Sequence, residues 1–296
     1  MKRVAIVGLG LMGGSLGLAL KRLGLAHVSA YARRAETRKL ALDMGATDAV
    51  YDTPQAALQG ADVAVFCTPV CAMPKLAKEC MTSFEPGCVV TDVGSTKAEL
   101  VRDMNSLFRD TTIVFVGSHP MAGSEKSGLD AARTDLYEGA VTAVTPGLET
   151  PETGIQSIMA LWGGVGARVV RLNPDEHDVL VAKTSHLPHL ISALLVSTAG
   201  RTPQNKGLPM FFGPGFRDTT RIAGGSPAMW HDIVKSNRTA ILGELRQYQD
   251  ALGELIGLIE KEDYAGILNC LEKARYTRGQ LLGTGSDKAG QSRGVV

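Results

Sequence analysis

The feature that most constrains the fold is a glycine-rich turn that follows a short apolar segment at the start of the chain. Residues 4–7 are the strand-forming run Val-Ala-Ile-Val, and Gly8, Gly10 and Gly13 follow it with the spacing GxGxxG. In this arrangement the first glycine makes a tight turn, the second lets the backbone approach a pyrophosphate, and the third packs a helix against the strand. The phosphates would lie at the N–H groups that begin that helix. The pattern therefore predicts a dinucleotide-binding unit.

The composition is that of a folded globular protein without a strong charge. Hydrophobic residues make up 44% of the 296 residues, charged residues 21%, and the net charge is +1. This balance does not favour nucleic acid or a membrane surface as a partner, so we expect a small-molecule ligand. The five cysteines are an odd set in mostly apolar segments, which favours reduced thiols and a cytoplasmic protein.

The apolar N-terminus is interrupted by glycines and is short for a membrane span, so we interpret it as a strand and a turn and not as a signal peptide. We expect no other stretch of the sequence to offer a spanning segment.

The predicted secondary-structure pattern changes near residue 173. Before it, strand-like and helix-like segments alternate, which predicts an α/β fold with a mostly parallel sheet. After it, long helical patterns dominate. We therefore predict a dinucleotide-binding α/β domain over residues 1–172 and an all-α domain over residues 173–296, in which residues 283–296 form a mobile tail.

The predicted C-terminal helices carry wide apolar faces. Such a face must be covered, either by a second subunit in a homodimer or by packing within the chain. Its residues include Ile241, Leu242, Leu245, Leu252, Leu255, Ile256 and Ile259.

Polar residues follow several predicted strands at their carboxyl ends, where open α/β sheets bind ligands. Thr68 and Pro69 follow a strand at 61–67 that ends in Cys67, Ser95 follows a strand at 87–92, and a loop carrying His119 follows a strand at 113–117. A neutral imidazole accepts a proton at physiological pH, so His119 is the candidate general base. A structural or surface role for this histidine is the alternative.

The end of the second predicted strand indicates which cofactor binds. NAD sites usually carry an acid there for the ribose 2′-OH, whereas this chain has Ala32, Arg33 and Arg34. Two guanidinium groups without that acid favour a 2′-phosphate, and therefore NADP. In the alternative interpretation, the arginines are a solvated start to the next helix.

Two further segments contain candidate binding residues. His186 and His189 have HxxH spacing, but no Cys or acidic residue follows at ligand spacing, so we predict no metal site and favour packing or cleft lining. Arg217 and Arg221 would share one face of a helix and could bind a carboxylate substrate. Asp218 could instead pair with them on a solvated face.

Taken together, these motifs resemble those of the prephenate and arogenate dehydrogenases of tyrosine biosynthesis. The resemblance covers the chain to about residue 282 and rests on segments that occur in the family's order: Gly8-Leu-Gly-Leu-Met-Gly13, Thr91-Asp-Val-Gly-Ser-Thr-Lys97, Gly117-Ser-His-Pro-Met-Ala-Gly123, Thr184-Ser-His-Leu-Pro-His189 and Gly215-Phe-Arg-Asp-Thr-Thr-Arg221.

The resemblance implies a role for each matched residue. His119 is similar to the catalytic histidine that hydrogen-bonds the substrate's ring hydroxyl, Ser95 to its serine partner near the nicotinamide, and Arg221 to the arginine that binds a substrate carboxylate. The residues expected to line or gate the substrate pocket are Arg217, Asp218, Glu125, Trp230 and His189. Those expected at the cofactor are Gly8, Gly10, Leu11, Met12, Gly13, Ala32, Arg33, Arg34, Cys67, Thr68, Pro69 and Ser95.

The activity implied is NADP-dependent oxidative decarboxylation of prephenate to 4-hydroxyphenylpyruvate, with NAD as the other cofactor to test. Arogenate dehydrogenase, which gives tyrosine directly, is the near alternative. Two readings are more distant: another Rossmann reductase of the β-hydroxyacid dehydrogenase or pyrroline-5-carboxylate reductase type, and a non-catalytic NADP sensor. The resemblance also implies that residues 1–172 are a Rossmann-type NAD(P)-binding domain and that residues 173–296 are an all-α substrate and dimerisation domain. It further implies a homodimer formed through the C-terminal helices.

Overall fold

The computed structural model describes residues 3–123, 126–201 and 208–283, so Glu125 and the predicted tail beyond Gly283 lie outside the described residues. The strands are β1 Arg3–Val7, β2 His27–Tyr31, β3 Ala49–Tyr51, β4 Val63–Phe66, β5 Val89–Asp92, β6 Val114–Phe115, β7 Gly117–Pro120, β8 Val141–Thr145 and β9 Arg168–Arg171. The α-helices are α1 Leu11–Arg22, α2 Ala35–Asp43, α3 Pro54–Leu58, α4 Met73–Glu79, α5 Ala98–Phe108, α6 Glu152–Gly164, α7 Pro174–Val181, α8 Leu187–Gly200, α9 Pro214–Thr220, α10 Pro227–Ser236, α11 Arg238–Glu260 and α12 Tyr264–Leu281.

The first six strands form one parallel sheet in the order β3-β2-β1-β4-β5-β6. This is the strand order of a Rossmann-type doubly wound sheet, and it confirms the predicted fold class. β1 lies at the point where the order reverses, between β2 and β4, and Ile6 pairs with Ala30 on one side and Val65 on the other. The carboxyl end of β1, where the glycine turn begins, is therefore the expected ligand-binding crevice.

Both faces of this sheet are buried by helices. Because side chains alternate along a strand, Val4 and Ile6 of β1 enter one core with Leu16 of α1 and Trp162 of α6. Ala5 and Val7 enter a second core with residues that include Phe66, Met73 and Phe108. Four of the five residues of β1 are buried, which explains why this segment reads as a continuous apolar run.

His119 lies on a strand, whereas the sequence pattern predicts a loop at this position. The predicted single strand over 113–117 is divided into β6, which joins the parallel sheet, and β7, which joins a second sheet of order β7-β8-β9. β7 runs antiparallel to β8, and His119 is opposite Ala143. The prediction of a loop was wrong because pairing with β8, a segment distant in sequence, extends this part of the chain.

The helices after β9 begin with an almost continuous stretch. A π-helical turn, Ala182–His186, connects α7 to α8. Among the long helical patterns predicted after residue 173, the one over 227–262 forms two helices, α10 and α11, that meet at Asn237. The chain divides into two compact units, the first ending at Ile241 and the second beginning at Leu242. The boundary predicted near residue 173 stays a prediction.

By length and composition alone, the helical stretch Pro174–Gly200 could cross a membrane. The expectation that no stretch beyond the N-terminus has this character was therefore wrong. The stretch also carries buried polar side chains, among them His177, Asp178 and His186, which hydrogen-bond to other elements of the first unit. These contacts show that part of its surface packs against protein.

Candidate active site

The glycine turn has the geometry that a dinucleotide requires. Gly8 has a positive φ of 111°, and its N–H donates to the Tyr31 carbonyl oxygen at 3.1 Å. A Cβ on Gly13 would lie 2.1 Å from the Gly8 carbonyl oxygen, whereas a Cβ on Gly10, the N-cap of α1, would have no atom within 4 Å. The third glycine is thus required by packing, and the second leaves an open approach to the start of the helix. The first turn of α1 contains no acidic residue, so the site fits a pyrophosphate.

The turn after β4 lies against this glycine turn. A Cβ on Gly8 would be 3.0 Å from the Cys67 carbonyl oxygen and 3.1 Å from Cγ2 of Thr68. The predicted cofactor residues Cys67 and Thr68 therefore border the same crevice as the glycines, and Pro69 follows them directly in the chain.

The end of β2 presents two exposed arginines. Ala32 is buried, and Arg33 and Arg34 are exposed. Among the described residues, neither guanidinium forms an ion pair. Sequence reasoning missed Arg38, whose Nη1 donates to the carbonyl oxygens of Ala32 at 2.9 Å and Arg33 at 3.0 Å. Arg38 therefore holds the backbone of this turn while the other two guanidinium groups face solvent.

A buried ion pair joins the Ser95 turn to the strand that carries His119. Asp92, at the end of β5, pairs with Lys97 Nζ, and both side chains are fully buried. Asp92 also accepts the N–H groups of Gly94 at 2.7 Å and Ser118 at 2.9 Å, and Lys97 Nζ donates to the Ser118 carbonyl oxygen at 3.0 Å. Burial lowers the pKa of Lys97, and the charge of Asp92 opposes that shift. The ion pair therefore holds in place both the turn that carries Ser95 and the strand that carries His119.

The surroundings of His119 hold it in the neutral form. Burial lowers its pKa well below 6.5, and coulombic interactions with His177, Lys97 and His186 lower it further. Nδ1 of His119 lies 2.9 Å from Nε2 of His177, and the two rings meet edge to face at 70°. As a whole residue, His119 remains partly exposed on β7. A neutral imidazole at such a position is suited to accept a proton.

A chain of contacts leads from His119 to the other predicted pocket residues. Nδ1 of His177 contacts Asp178 Oδ1 at 2.8 Å, and Asn237 Nδ2 lies 2.8 Å from the Asp178 carbonyl oxygen and 3.2 Å from His186 Nδ1. The His186 ring meets the Trp230 ring edge to face, with the ring centroids 6.0 Å apart, and the His189 ring stacks on Trp230 with the centroids 3.5 Å apart. The structure thus brings His119, Trp230 and His189 into one connected cluster.

His189 and its neighbour on α8 contribute buried polar atoms to this cluster. Nδ1 of His189 and Oγ of Ser192 are buried and have no hydrogen-bond partner within the described part of the chain. Burial lowers the pKa of His189. Among the described residues, no group of three metal-binding side chains is found, so His186 and His189 are not part of a metal cluster there.

The predicted arginines and Ser95 are not joined to this cluster by hydrogen bonds among the described residues. Arg217 and Asp218 are exposed on α9, and Arg217 Nε donates to the Phe212 carbonyl oxygen at 3.1 Å. Arg221 is also exposed, in a 3-10 helical turn, Arg221–Gly224, that precedes Gly225. A Cβ on Gly225 would be 2.7 Å from Trp230 Nε1, so the arginine turn ends against the cluster.

Sequence reasoning missed His177, Asp178 and Asn237. One signal could have found the first two: they are adjacent ionisable residues in a helix that Asn173 caps, immediately after the last strand. Asn237 carried a weaker signal, since a polar residue that breaks a long amphipathic pattern often marks a helix end.

Comparisons with known proteins agree with this architecture. Residues 16–171 match a family described as prephenate dehydrogenase, nucleotide-binding domain, and residues 173–273 match prephenate dehydrogenase, dimerization domain. The chain is 34% identical over 281 residues to the prephenate dehydrogenase of Bacillus subtilis, covering 94% of this chain and 76% of that protein.

Two solved structures are similar over nearly the whole chain. One is prephenate dehydrogenase from A. aeolicus in complex with hydroxyphenyl propionate and NAD+, with a TM-score of 0.88, 31% identity, and 95% and 98% of the two chains covered. The other is Synechocystis arogenate dehydrogenase, with a TM-score of 0.81, 27% identity, and 94% and 99% covered.

Proposed function

The chain belongs to the prephenate and arogenate dehydrogenase family, and we propose that it converts prephenate to 4-hydroxyphenylpyruvate and CO2 with NADP as the hydride acceptor. The observation that carries this proposal is His119, a neutral histidine on a partly exposed position beside the crevice of a dinucleotide-binding sheet. A base at this place suits an oxidation that removes a hydride from carbon and a proton from the attached hydroxyl.

The chemistry assigns a task to each group. NADP, when bound along the glycine turn, supplies the acceptor for the hydride that leaves ring carbon C4. His119 takes the proton of the C4 hydroxyl, so that the oxygen can form a double bond to carbon as the hydride departs. The bond to the ring carboxylate then breaks, its electron pair makes the ring aromatic, and the proton returns to the phenolic oxygen. Because aromatisation drives the reaction, the protein mainly provides orientation and proton transfer.

Prephenate carries two carboxylates, and the chain offers groups that suit them. We assign carboxylate binding to Arg221 and Arg217 because guanidinium groups bind carboxylates with two parallel hydrogen bonds. The buried Nδ1 of His189, stacked on Trp230, suits a polar atom of the substrate side chain. Ser95 is assigned a place near the nicotinamide, since it lies on the turn after β5 that Asp92 and Lys97 hold.

The preference for NADP is supported by the end of β2. Arg33 and Arg34 are exposed there, and α2 begins directly after them. A 2′-phosphate would gain charge-assisted hydrogen bonds from these groups, each of about 1.5–3 kcal/mol. In the A. aeolicus structure the bound cofactor is NAD+, so a direct test with both cofactors is needed.

The test is a spectrophotometric assay of the purified protein with prephenate or arogenate and with NADP or NAD. We expect the fastest turnover with prephenate and NADP. Arg33→Asp should lower kcat/KM for NADP by about 10- to 100-fold and shift preference toward NAD. Lys39→Asp, the same charge change on the exposed side of α2, is the matched control and should leave the preference unchanged. Turnover with neither substrate would overturn the proposed function, and faster turnover with NAD would overturn the cofactor assignment.

Arogenate dehydrogenase is the second candidate, because similarity to the Synechocystis arogenate dehydrogenase extends over 94% of this chain. The two substrates differ in a keto or amino group on the side chain, so the same assay decides between them. A non-catalytic NADP sensor would bind NADP without turnover, and its biological effect would survive His119→Asn. A reductase of another Rossmann class would not need His119 together with the arginine segment.

We further propose that the protein is a homodimer formed through its C-terminal helices. In α11 and α12 many large apolar residues are exposed: Leu252, Ile256, Ile259, Tyr264, Leu268, Leu271, Tyr276 and Leu281. A second copy of the chain would cover such a surface, and the matching family domain is described as a dimerization domain. Leu271→Asp should shift the molar mass measured by light scattering from dimer to monomer. Leu148→Asp, at an exposed leucine outside the helices, should leave the dimer intact.

We also propose that the enzyme works in the cytoplasm and that its two functional domains meet near residue 173. The free state of all five cysteines is consistent with a reducing compartment. The two family matches, which end at residue 171 and begin at residue 173, support the domain boundary. Cell fractionation and limited proteolysis test these two points.

A further inference from the structure

We propose that His177 and Asp178 are positioning residues that hold His119 with its proton on Nδ1, so that Nε2 is the atom that accepts the substrate's hydroxyl proton. This inference rests on the proposed function for the role of His119 in turnover. The hydrogen-bond arrangement itself does not depend on which substrate is used.

The first step of the argument is the carboxylate of Asp178. Its Oδ1 accepts the Lys97 N–H at 2.8 Å, and its Oδ2 accepts the Ala98 N–H at 2.9 Å, at the start of α5. Backbone amides only donate, so the geometry uses this group as an acceptor. Asp178 Oδ1 also contacts Nδ1 of His177 at 2.8 Å. The proton in that contact must therefore be on the imidazole, and Nδ1 of His177 is the donor.

The second step follows from the two nitrogens of a neutral imidazole, of which one donates and the other accepts. Because Nδ1 of His177 donates to Asp178, its Nε2 is the acceptor. That Nε2 lies 2.9 Å from Nδ1 of His119, so His119 must donate from Nδ1. The remaining nitrogen of neutral His119, Nε2, carries a lone pair.

The two histidines are held on separate, well-anchored elements. Asp178 is tied to α5 through its carboxylate and to Asn237 through its carbonyl oxygen. His177 is fully buried, and His119 is fixed by the pairing of β7 with β8. The assignment therefore predicts one tautomer for His119.

The consequence for catalysis is large, because a histidine with its proton on the wrong nitrogen cannot act as a base at that position. In a Ser-His-Asp triad, loss of the acid that fixes the histidine tautomer lowers kcat by about 10⁴-fold. His177→Phe keeps a ring at this position and removes the acceptor. We expect it to lower kcat by about 10²- to 10⁴-fold with little change in the KM for either substrate.

His177→Gln is the conservative counterpart, because its side-chain oxygen can reach the place of Nε2 and accept from His119. It should retain most of the wild-type kcat. His27→Phe, which replaces an exposed histidine at the start of β2, is the control and should behave as wild type. Equal losses in His177→Phe and His177→Gln would indicate a packing role and overturn the inference.

A double-mutant cycle distinguishes a positioning role of His177 from a purely structural one. If His177 acts through His119, then adding His177→Phe to the His119→Asn variant should not lower kcat any further. If the double variant instead shows a fold-loss in kcat equal to the product of the two single losses, the inference is overturned. This comparison requires that the wild-type enzyme turns over prephenate or arogenate.

A readout without turnover completes the test. Nitrogen-15 NMR of the full-length protein labelled at histidine distinguishes protonated from unprotonated ring nitrogens, and the His119 signals are those absent from His119→Asn. Wild type and His177→Gln should show His119 protonated at Nδ1, and His177→Phe should lose this preference. A wild-type His119 protonated at Nε2 would overturn the inference even if the enzyme is active. The expected pattern in an inactive protein would uphold the arrangement while the proposed function fails.

Discussion

Burial of His186 predicts a specific loss of stability in acid. Burial lowers the pKa of His186 from 6.5 to about 4, the charge of Asp178 opposes the shift, and His177 and His189 add to it. As the pH falls below 6.5, the unfolded chain takes up a proton at this residue and the folded chain does not. The contribution to stability is therefore complete above 6.5 and is lost as the pH falls toward 4.

The magnitude follows from the two pKa values. The difference between 6.5 and about 4 corresponds to about 3 kcal/mol of unfolding free energy at about 1.4 kcal/mol for each pKa unit. About 2 kcal/mol of this is lost by pH 5, because the unfolded chain is then almost fully protonated at this residue. A loss of this size is a substantial part of the total stability of a protein.

The matched substitution is His186→Asn, because the asparagine oxygen takes the place of Nδ1 as acceptor for Asn237 Nδ2. Urea unfolding of wild type, His186→Asn and His27→Asn would be compared at about pH 7.5 and about pH 5. Wild type and His27→Asn should lose about 2 kcal/mol more than His186→Asn between these conditions. The same loss in all three proteins would refute the reasoning.

Three further predictions concern the cofactor turn, the base and the buried ion pair. Gly13→Ala should destabilise the fold by about 1–3 kcal/mol, because its Cβ would overlap the Gly8 carbonyl oxygen. Gly10→Ala should unfold as wild type does and raise only the KM for NADP. Similar melting temperatures for both variants would contradict this. The kcat/KM for prephenate should stay constant as the pH falls to 6.5 and decrease only at lower pH, because burial and coulombic interactions with neighbouring groups lower the pKa of His119. A decline in kcat/KM centred above pH 6.5 would contradict this prediction. Lys97→Met should destabilise the protein by about 3–5 kcal/mol in urea unfolding, because it leaves the Asp92 carboxylate buried and unpaired; near-wild-type stability would show that Asp92 finds another partner.

Local patterns were enough to predict much of the fold. The glycine turn, the first helix and the alternation of strands and helices that indicates a parallel sheet can all be read from spacing within a few neighbouring residues. β3 and α3 were missed because they contain three and five residues, too few for a periodic pattern. β7 was missed because its extended form depends on pairing with β8 across the intervening chain.

At the candidate site, too, features that depend on neighbouring residues were predicted and contacts between distant residues were not. The prediction of His119 used its immediate neighbours, and the structure places it in a cluster of buried polar side chains. The partners that decide its chemistry come from elsewhere: His177 is 58 residues away in sequence, and Asn237 is 59 residues beyond Asp178. No periodicity encodes such contacts, because they depend on how α7, α10 and β7 pack. The assignments of Arg217, Arg221 and Asp218 remain predictions, since these side chains lie exposed in the described structure.

The π-helical turn at Ala182–His186 has a consequence for insertions and deletions in this region. Each residue of an α-helix rotates the chain by about 100°, and a π turn accommodates one residue more than an α turn does. Deleting one residue within this turn would therefore leave an α turn that completes nearly the same rotation, and His189 would keep its place against the face of Trp230. Deleting one residue from the regular helix between the π turn and His189 would instead rotate His189 by about 100° and move it away from that face. At the π turn, the chain can therefore become one residue shorter and keep the same set of pocket residues.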